Sequence, residues 1–389
     1  MKPIYFDNNA TTAVAPEVLE AMLPYYQDFY GNPSSMHTFG GSVHRVIEKA
    51  REEVAALINA EPDEIIFTSC GSESDNTALM SAVESLPHKR HVITTRVEHP
   101  AILNFARYLS RKGYRVTFLP VDNSGRLDRN VFLKALDDDT AIVSIMFANN
   151  ETGVIFPIAE LGQIVKEKGI LFHTDAVQAA GKLPLDVKKL AVDMLSLSGH
   201  KLHAPKGVGA LYVRKGTRFH PYLMGGHQEH GRRAGTENVA SIIGMGKACE
   251  IALGHLTTNT TRLAGLRDRL EQALLRTCPD ARVNGDAGNR LPNTTNISFE
   301  FVEGEAILLR LDEYGVCASS GSACSSGSLE PSHVLRAMGI PFTAIHGSIR
   351  FSLSHFTTKS EISRVIEILP PIINELRQLS PYGRDKIAR

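Results

Sequence analysis

The chain has 389 residues, 43% of them hydrophobic, with 42 Lys and Arg set against 42 Asp and Glu. That length and apolar content can bury a large core in two or three domains, while the balanced charge removes any electrostatic argument for nucleic acid or a membrane surface as partner. Five cysteines, an odd number without paired spacing, argue against a disulfide framework and predict reduced thiols.

In chain order, the opening MKPIYFDNNATT lacks the apolar core of a signal peptide and the Arg/Ser-rich character of a transit peptide. No apolar run approaches the roughly 18 residues that cross a bilayer, so a cytoplasmic location is the expectation. From residue 64 to 213, short apolar runs alternate with amphipathic segments. EIIFT, HVITT, RVTFLP, AIVSIMF, ILFHT, DMLSLS and VGALYV read as seven strands. Between them, Ile102, Phe105, Ala106 and Leu109 behind Pro100, and Ile158, Leu161 and Val165 behind Pro157, take helical spacing. The alternation predicts an α/β domain with a mainly parallel sheet covered on both faces.

After GTEN the pattern becomes helical from 239 to 277, and a different arrangement follows. NISFEF reads as a strand, EGEAILLRLDEYG as a helix, and SIRFSLS as a strand. Thr358 and Glu361 form a capping-box signature ahead of a last helix. The expected organisation is a large α/β domain over 14–255 and a smaller α+β domain made of 1–13 and 256–389.

Ligands of open parallel sheets collect beyond the carboxyl ends of the strands, and four such places carry suitable chemistry. After EIIFT, Gly71 and Ser72 open a helix whose N–H groups and dipole favour a phosphate; taken alone, they read better as plain helix capping. ILFHT ends in Asp175, which needs a cationic partner if buried, or caps the next helix. DMLSLS ends in Ser198, Gly199, His200 and Lys201, where an amine on a Gly/Pro-bounded turn, together with Asp175, suits a pyridoxal phosphate site; alone, Lys201 reads as a solvated lysine. Arg350 in SIRFSLS lies on the polar face with Ser352 and Ser354, opposite Ile349, Phe351 and Leu353, placed to grip a carboxylate or to form a surface ion pair. HKLH and HQEH space two histidines three apart but lack a third ligand at metal-site spacing, so no resident metal is expected. Cys70 and Cys317 have apolar or small neighbours and are expected to be packed core thiols.

Residues 319–328, SSGSACSSGS, place Cys324 among side chains that bury almost nothing. About five extended residues on each side could carry this thiol roughly 15 Å.

DNNATT, GNPSS with His37, FTSCGSESDN, VEHPA, ANNETG, HTDAVQ, SLSGHKLHAPKGVG, GGHQEHGRRAGTEN, RLPNT and SSGSAC together resemble the NifS/IscS-type cysteine desulfurases, pyridoxal phosphate enzymes of the aminotransferase class V group. The resemblance runs essentially end to end and is nearest the NifS branch that serves nitrogen fixation. It implies the fold type I transferase architecture, pyridoxal 5′-phosphate as cofactor, and a homodimer. On matching positions it implies Lys201 as the Schiff-base lysine, Asp175 against the pyridine nitrogen, Gln178 near the phenolic oxygen and His99 stacked on the ring. Gly71, Ser72, Ser198, Gly199 and His200 would surround the phosphate, and Thr236 would reach the neighbouring subunit's cofactor. Asn150 and Arg350 would face the amino acid, and Cys324 would be the sulfur acceptor, in transient contact with an iron–sulfur cluster at most. Ser72 and Ser325 stand where relatives often carry Thr, keeping the hydroxyl.

The implied reaction converts L-cysteine to L-alanine, with Lys201 removing the Cα proton, His99 as an acid or base, and the sulfur left on Cys324 as a persulfide for an iron–sulfur scaffold protein, in nitrogenase maturation or general cluster assembly. A related lyase acting on selenocysteine, and a sulfur-carrier protein without desulfurase activity, are the alternative readings.

Overall fold

The computed structural model describes residues 3–320 and 331–380. In chain order its strands are β1 (Ile4–Tyr5), β2 (Ile65–Thr68), β3 (His91–Thr95), β4 (Arg115–Leu119), β5 (Thr140–Ser144), β6 (Leu171–Asp175), β7 (Met194–Ser198), β8 (Gly209–Val213), β9 (Ala281–Val283), β10 (Thr294–Phe299), β11 (Val316–Cys317) and β12 (Ser348–Ser352). The helices are α1 (Pro16–Met22), α2 (Pro24–Gln27), α3 (Thr38–Leu57), α4 (Gly71–Ser85), α5 (Pro100–Arg111), α6 (Arg129–Ala135), α7 (Ile158–Glu167), α8 (Val187–Leu190), α9 (Val239–Thr277), α10 (Gly304–Glu313), α11 (His333–Ala337), α12 (Phe342–Ile345) and α13 (Lys359–Leu379).

The seven expected strands form one sheet in the order β2-β8-β7-β6-β5-β3-β4. Only β8 runs antiparallel to its neighbours; the other pairs are parallel. Strands covered on both faces have no solvent side, which is why these runs are almost continuously apolar. Alternate residues serve opposite layers: Ile65 and Phe67 join the core beneath α3, α7 and α9, while Ile66 joins Leu79, Ile102 and Phe105 of α4 and α5. The edge strand β4 begins with exposed Arg115, which discourages further pairing.

A second core gathers Phe6, Leu266, Leu270, Ile297, Phe351, Ile362 and Leu369 around the antiparallel sheet β12-β10-β9. The N-terminal segment belongs to it, because β1 pairs with β11 and Phe6 is fully buried there. The capping box at Thr358 and Glu361 is present at the start of α13. Helix α9 is continuous for 39 residues, contributing Ile242 and Met245 to the first core and Leu263 to Leu274 to the second. It also reaches, by length and by a mean hydropathy of 1.2 over its most apolar stretch, what a bilayer-crossing helix requires, a level that the sequence reading placed out of reach. Its buried residues Ala240, Ile242, Met245, Ala248 and Cys249 pack inside the protein.

Candidate active site

The carboxyl ends of β6 and β7, the start of α4, the start of α5 and the buried strand β12 surround a cavity of about 300 Å3. Strand β6 ends in Asp175, whose Oδ1 accepts the Val177 N–H at 2.9 Å. Strand β7 ends in Ser198, and a short 3-10 turn over Gly199–Lys201 turns Lys201 into the cavity. Its Nζ donates to the carbonyls of Asn9 and Ala10 at 2.5 and 2.6 Å. Gln178 Nε2 donates to the same Asn9 carbonyl at 3.0 Å, and Lys182 Nζ donates to Gln178 Oε1 at 3.2 Å. Lysine, glutamine and N-terminal segment are thus tied at one backbone oxygen.

His99 caps α5, accepting the Ala101 N–H on Nδ1 at 3.2 Å. An acceptor at Nδ1 places the ring proton on Nε2. Burial, aided by the charge of Lys201, pushes the His99 imidazole down to about 4, so it is neutral near pH 7. His200 behaves likewise, also near 4 and for the same leading reason, with Nδ1 3.1 Å from Thr11 Oγ1. Asp175 is pushed up to about 6 by burial, opposed by the Val177 N–H and by Lys201.

Arg350 and Asn150 complete the wall. The polar face of β12 is not a surface, as an exposed ion pair would need: Ser348, Arg350 and Ser352 are as buried as Ile349 and Phe351. The N-terminal DNN supplies the partners. Arg350 Nη2 donates to Asp7 Oδ1 at 2.7 Å, Asn8 Nδ2 donates to the Ser352 carbonyl at 2.8 Å, and Asn9 N–H donates to Ser352 Oγ at 2.9 Å.

Lys201, His99, Gly71, Ser72, Asn150, Asp175, Gln178, Ser198, His200 and Arg350 therefore converge on one cavity. Gly199 lies behind it; a Cβ there would stand 2.8 Å from Val208 Cγ1. Thr236 is exposed on the segment leading into α9 and does not line the cavity. Cys324 lies outside the described residues. On either side of that stretch, Ser319 N–H donates to the Arg350 carbonyl at 3.2 Å, and Ser332 Oγ donates to buried Glu151. Both described ends are therefore fixed to elements of the cavity wall.

Three cavity residues with polar side chains were not singled out from the sequence. Cys70, expected in the core, is only half-buried and lines the site, because it is the N-cap of α4 and its residue position faces the strand ends; Cys317 is half-buried too. Asn9 was visible only as part of a motif. Asp75, one turn into α4, is buried beside Asp175, and burial together with that neighbour raises its carboxyl well above the usual range. A carboxylate at helical spacing behind Gly71 was the available signal. His200 and His203 face different cavities, so the HKLH spacing does not converge on one point.

Glu98, next to His99, is fully buried and accepts the Met146 N–H and the Thr95 hydroxyl. Burial raises its carboxyl to about 8. A group whose folded value is raised contributes stability that is full below its unfolded value and is lost as pH rises through the folded one. Glu98→Gln, an isostere of the protonated acid, should therefore gain on the parent chain between pH 5 and pH 8, with a relative rise in Tm of about 2 °C. Thermal melts across that range check it; a constant difference would show that Glu98 is ionised throughout.

The donor set fits pyridoxal phosphate. Ser198 Oγ is buried without a hydrogen-bond partner. At Gly71 a Cβ would stand 2.9 Å from Val177 Cγ2 and 3.3 Å from Ser198 Cβ, so the backbone approaches the cradle as only glycine allows. The free N–H groups opening α4 supply the anion site, Asp175 a carboxylate for a ring nitrogen, and Lys201 an amine. A doubly covered, mainly parallel sheet with this set at its strand ends defines a fold type I pyridoxal phosphate transferase.

The aminotransferase class-V family model matches residues 4–365. The chain is 61% identical to the cysteine desulfurase of Trichormus azollae, over 99% of this chain and 96% of that one. It is 58% identical to the cysteine desulfurase NifS of Azotobacter vinelandii, over 98% and 95%. Among solved structures, a NifS-like protein superposes with a TM-score of 0.91 at 41% identity, covering 96% of this chain and all of the other. A NifS-like protein from Rickettsia africae gives a TM-score of 0.86 at 32% identity, over 96% and 99%. The chain belongs to the aminotransferase class-V family and, within it, to the NifS/IscS-type cysteine desulfurases.

Proposed function

We propose that this protein is a pyridoxal phosphate-dependent cysteine desulfurase that converts L-cysteine to L-alanine and passes the sulfur to Cys324 as a persulfide. The observation that carries this reading is the convergence of Lys201, Asp175, His99, Gln178 and Arg350 on one cavity in a chain 58% identical to NifS along nearly its whole length.

Pyridoxal phosphate held there supplies an electron sink that labilises the Cα proton and the Cβ–sulfur bond of a bound amino acid. Lys201 would hold the cofactor covalently and, once displaced, take the Cα proton on Nζ. Asp175 would hold the cofactor's ring nitrogen protonated, and a cation facing it would favour the ionised carboxylate that burial alone disfavours. Neutral His99 can donate from Nε2 and accept again, a role worth about 10²- to 10⁴-fold. Arg350 would receive the substrate carboxylate, and Gly71, Ser72, Ser198 and His200 the phosphate. Cys324 Sγ would attack the substrate sulfur: the S–S bond forms as the C–S bond breaks, the electron pair left on Cβ takes a proton, and Lys201 returns the proton to Cα to give alanine.

A homodimer is part of this proposal. Large apolar side chains stand exposed on one stretch, Leu19, Leu23, Tyr26, Phe29, Tyr30 and Met36, with Met224 on another, more than an isolated soluble chain ordinarily leaves uncovered. Exposed Thr236 would then serve the partner's cavity. We assign the persulfide to an iron–sulfur scaffold protein in the cytoplasm, with nitrogenase maturation as the service that the NifS relative suggests.

An anaerobic assay with L-cysteine, reading alanine and sulfane sulfur together, tests the reading: equal amounts of both are expected. Turnover of selenocysteine alone would make the protein a lyase of the selenium analogue. Protein without bound cofactor, accepting sulfur but forming no alanine, would be a carrier.

A further inference from the structure

The Arg350 side chain is 2% exposed. A guanidinium cannot shed its charge, and a buried charge without a partner is strongly destabilising. Among the described residues its side chain makes two polar contacts: Nη2 donates to Asp7 Oδ1 at 2.7 Å and Nη1 donates to the Asn150 carbonyl at 3.1 Å. Nε is buried with no hydrogen-bond partner. Each terminal nitrogen carries two N–H groups and spends one of them on these contacts, so Nη1 and Nη2 each keep a hydrogen that a carboxylate can take.

Both sides of the ion pair sit on backbone that is tied down. Arg350 is paired with Asn296 of β10 on one side, and its N–H and carbonyl exchange hydrogen bonds with Ser319 on the other. Asp7 bridges Ser352 of the same strand, and its carbonyl accepts the Ala10 N–H at 3.0 Å. The pair is thus held rigidly at the cavity wall. Asp7 itself does not line the cavity.

We infer that Asp7 is a positioning residue for substrate: it neutralises Arg350 in the free protein and fixes the guanidinium so that the α-carboxylate of the amino acid is received on the remaining Nη1 and Nη2 hydrogens. The inference rests on the reading of Arg350 as the carboxylate-binding group. Orientation and charge then act in opposite senses. The hydrogen bond from Nη2 to Asp7 aims the guanidinium and favours binding. The negative charge of Asp7 competes with the incoming carboxylate and tempers it.

Two substitutions separate these effects. Asp7→Asn keeps an acceptor oxygen and removes the charge, leaving a buried cation that a carboxylate ligand would relieve. Asp7→Ala removes both. The dissociation constant of 3-mercaptopropionate, which has the carboxylate and thiol but no amine, can be measured by titration calorimetry on the holoenzyme. It should fall about tenfold in Asp7→Asn and rise at least tenfold in Asp7→Ala, and KM for L-cysteine should move in the same directions. A structural role alone would move both variants the same way. Equal shifts, or an unchanged or weaker affinity in Asp7→Asn, would overturn the inference, and Asp7→Asn decides by itself if the alanine variant does not fold. Arg350→Gln is the control. If it leaves the probe's affinity unaltered, the carboxylate reading of Arg350 fails; if it weakens binding while both Asp7 variants match the parent, only the role of Asp7 fails.

Discussion

Replacing Cys324 with alanine is expected to abolish sulfane transfer and alanine formation from L-cysteine while the protein keeps the yellow colour of bound pyridoxal phosphate. In the proposed reaction this thiol takes the sulfur, and its serine, glycine and alanine neighbours offer no second nucleophile of comparable strength. A free thiol near pKa 8.5 is only a few per cent ionised at neutral pH, so the substrate complex or a neighbouring imidazole has to draw out its proton; the attack is then the step that the alanine variant cannot make. Paired assays of alanine and sulfide on the purified variant check this. Undiminished turnover would move the acceptor role to another thiol, and Cys70 is the alternative, since it lines the cavity and is only half-buried.

The second large effect is expected at Lys201. Its alanine variant loses the amine that would hold the cofactor and then take the Cα proton. Alanine formation should fall by at least about 10²- to 10⁴-fold, the range for a single acid–base group, and cofactor should leave the variant on dialysis. Borohydride reduction of the parent protein followed by peptide mapping is the direct check, with the pyridoxyl label on Lys201. Two other lysines stand near in sequence or space. Lys206 is exposed on the surface. Lys182 lines a neighbouring cavity and is engaged with Gln178. A label on either would redirect the assignment.

Much of this architecture was legible in the residues. The seven sheet strands were readable because buried parallel strands must be short apolar runs, and the helices between them because one face of each carries Ile, Leu and Val at helical spacing. The capping box at Thr358 appeared as expected since its hydrogen bonds are local. Asp175, Ser198 and Lys201 could be singled out for a related reason: strand ends are where an open α/β sheet places its ligands.

What linear order could not supply was the company these residues keep. Arg350 read as one of three polar residues on a half-exposed strand, yet it is sealed in by Asp7, 343 positions away. Asp75 becomes a neighbour of Asp175 only when α4 packs against the sheet, and Asn9 meets Lys201 only because the first residues fold back across the strand ends. The sequence by itself determined the periodicities, the strand ends and the chemical groups available, since those depend on local backbone geometry and on solvent preference. Only the tertiary structure decided which charges are buried, what neutralises them and which proton each carries, because desolvation and Coulomb interactions act through space between residues hundreds of positions apart.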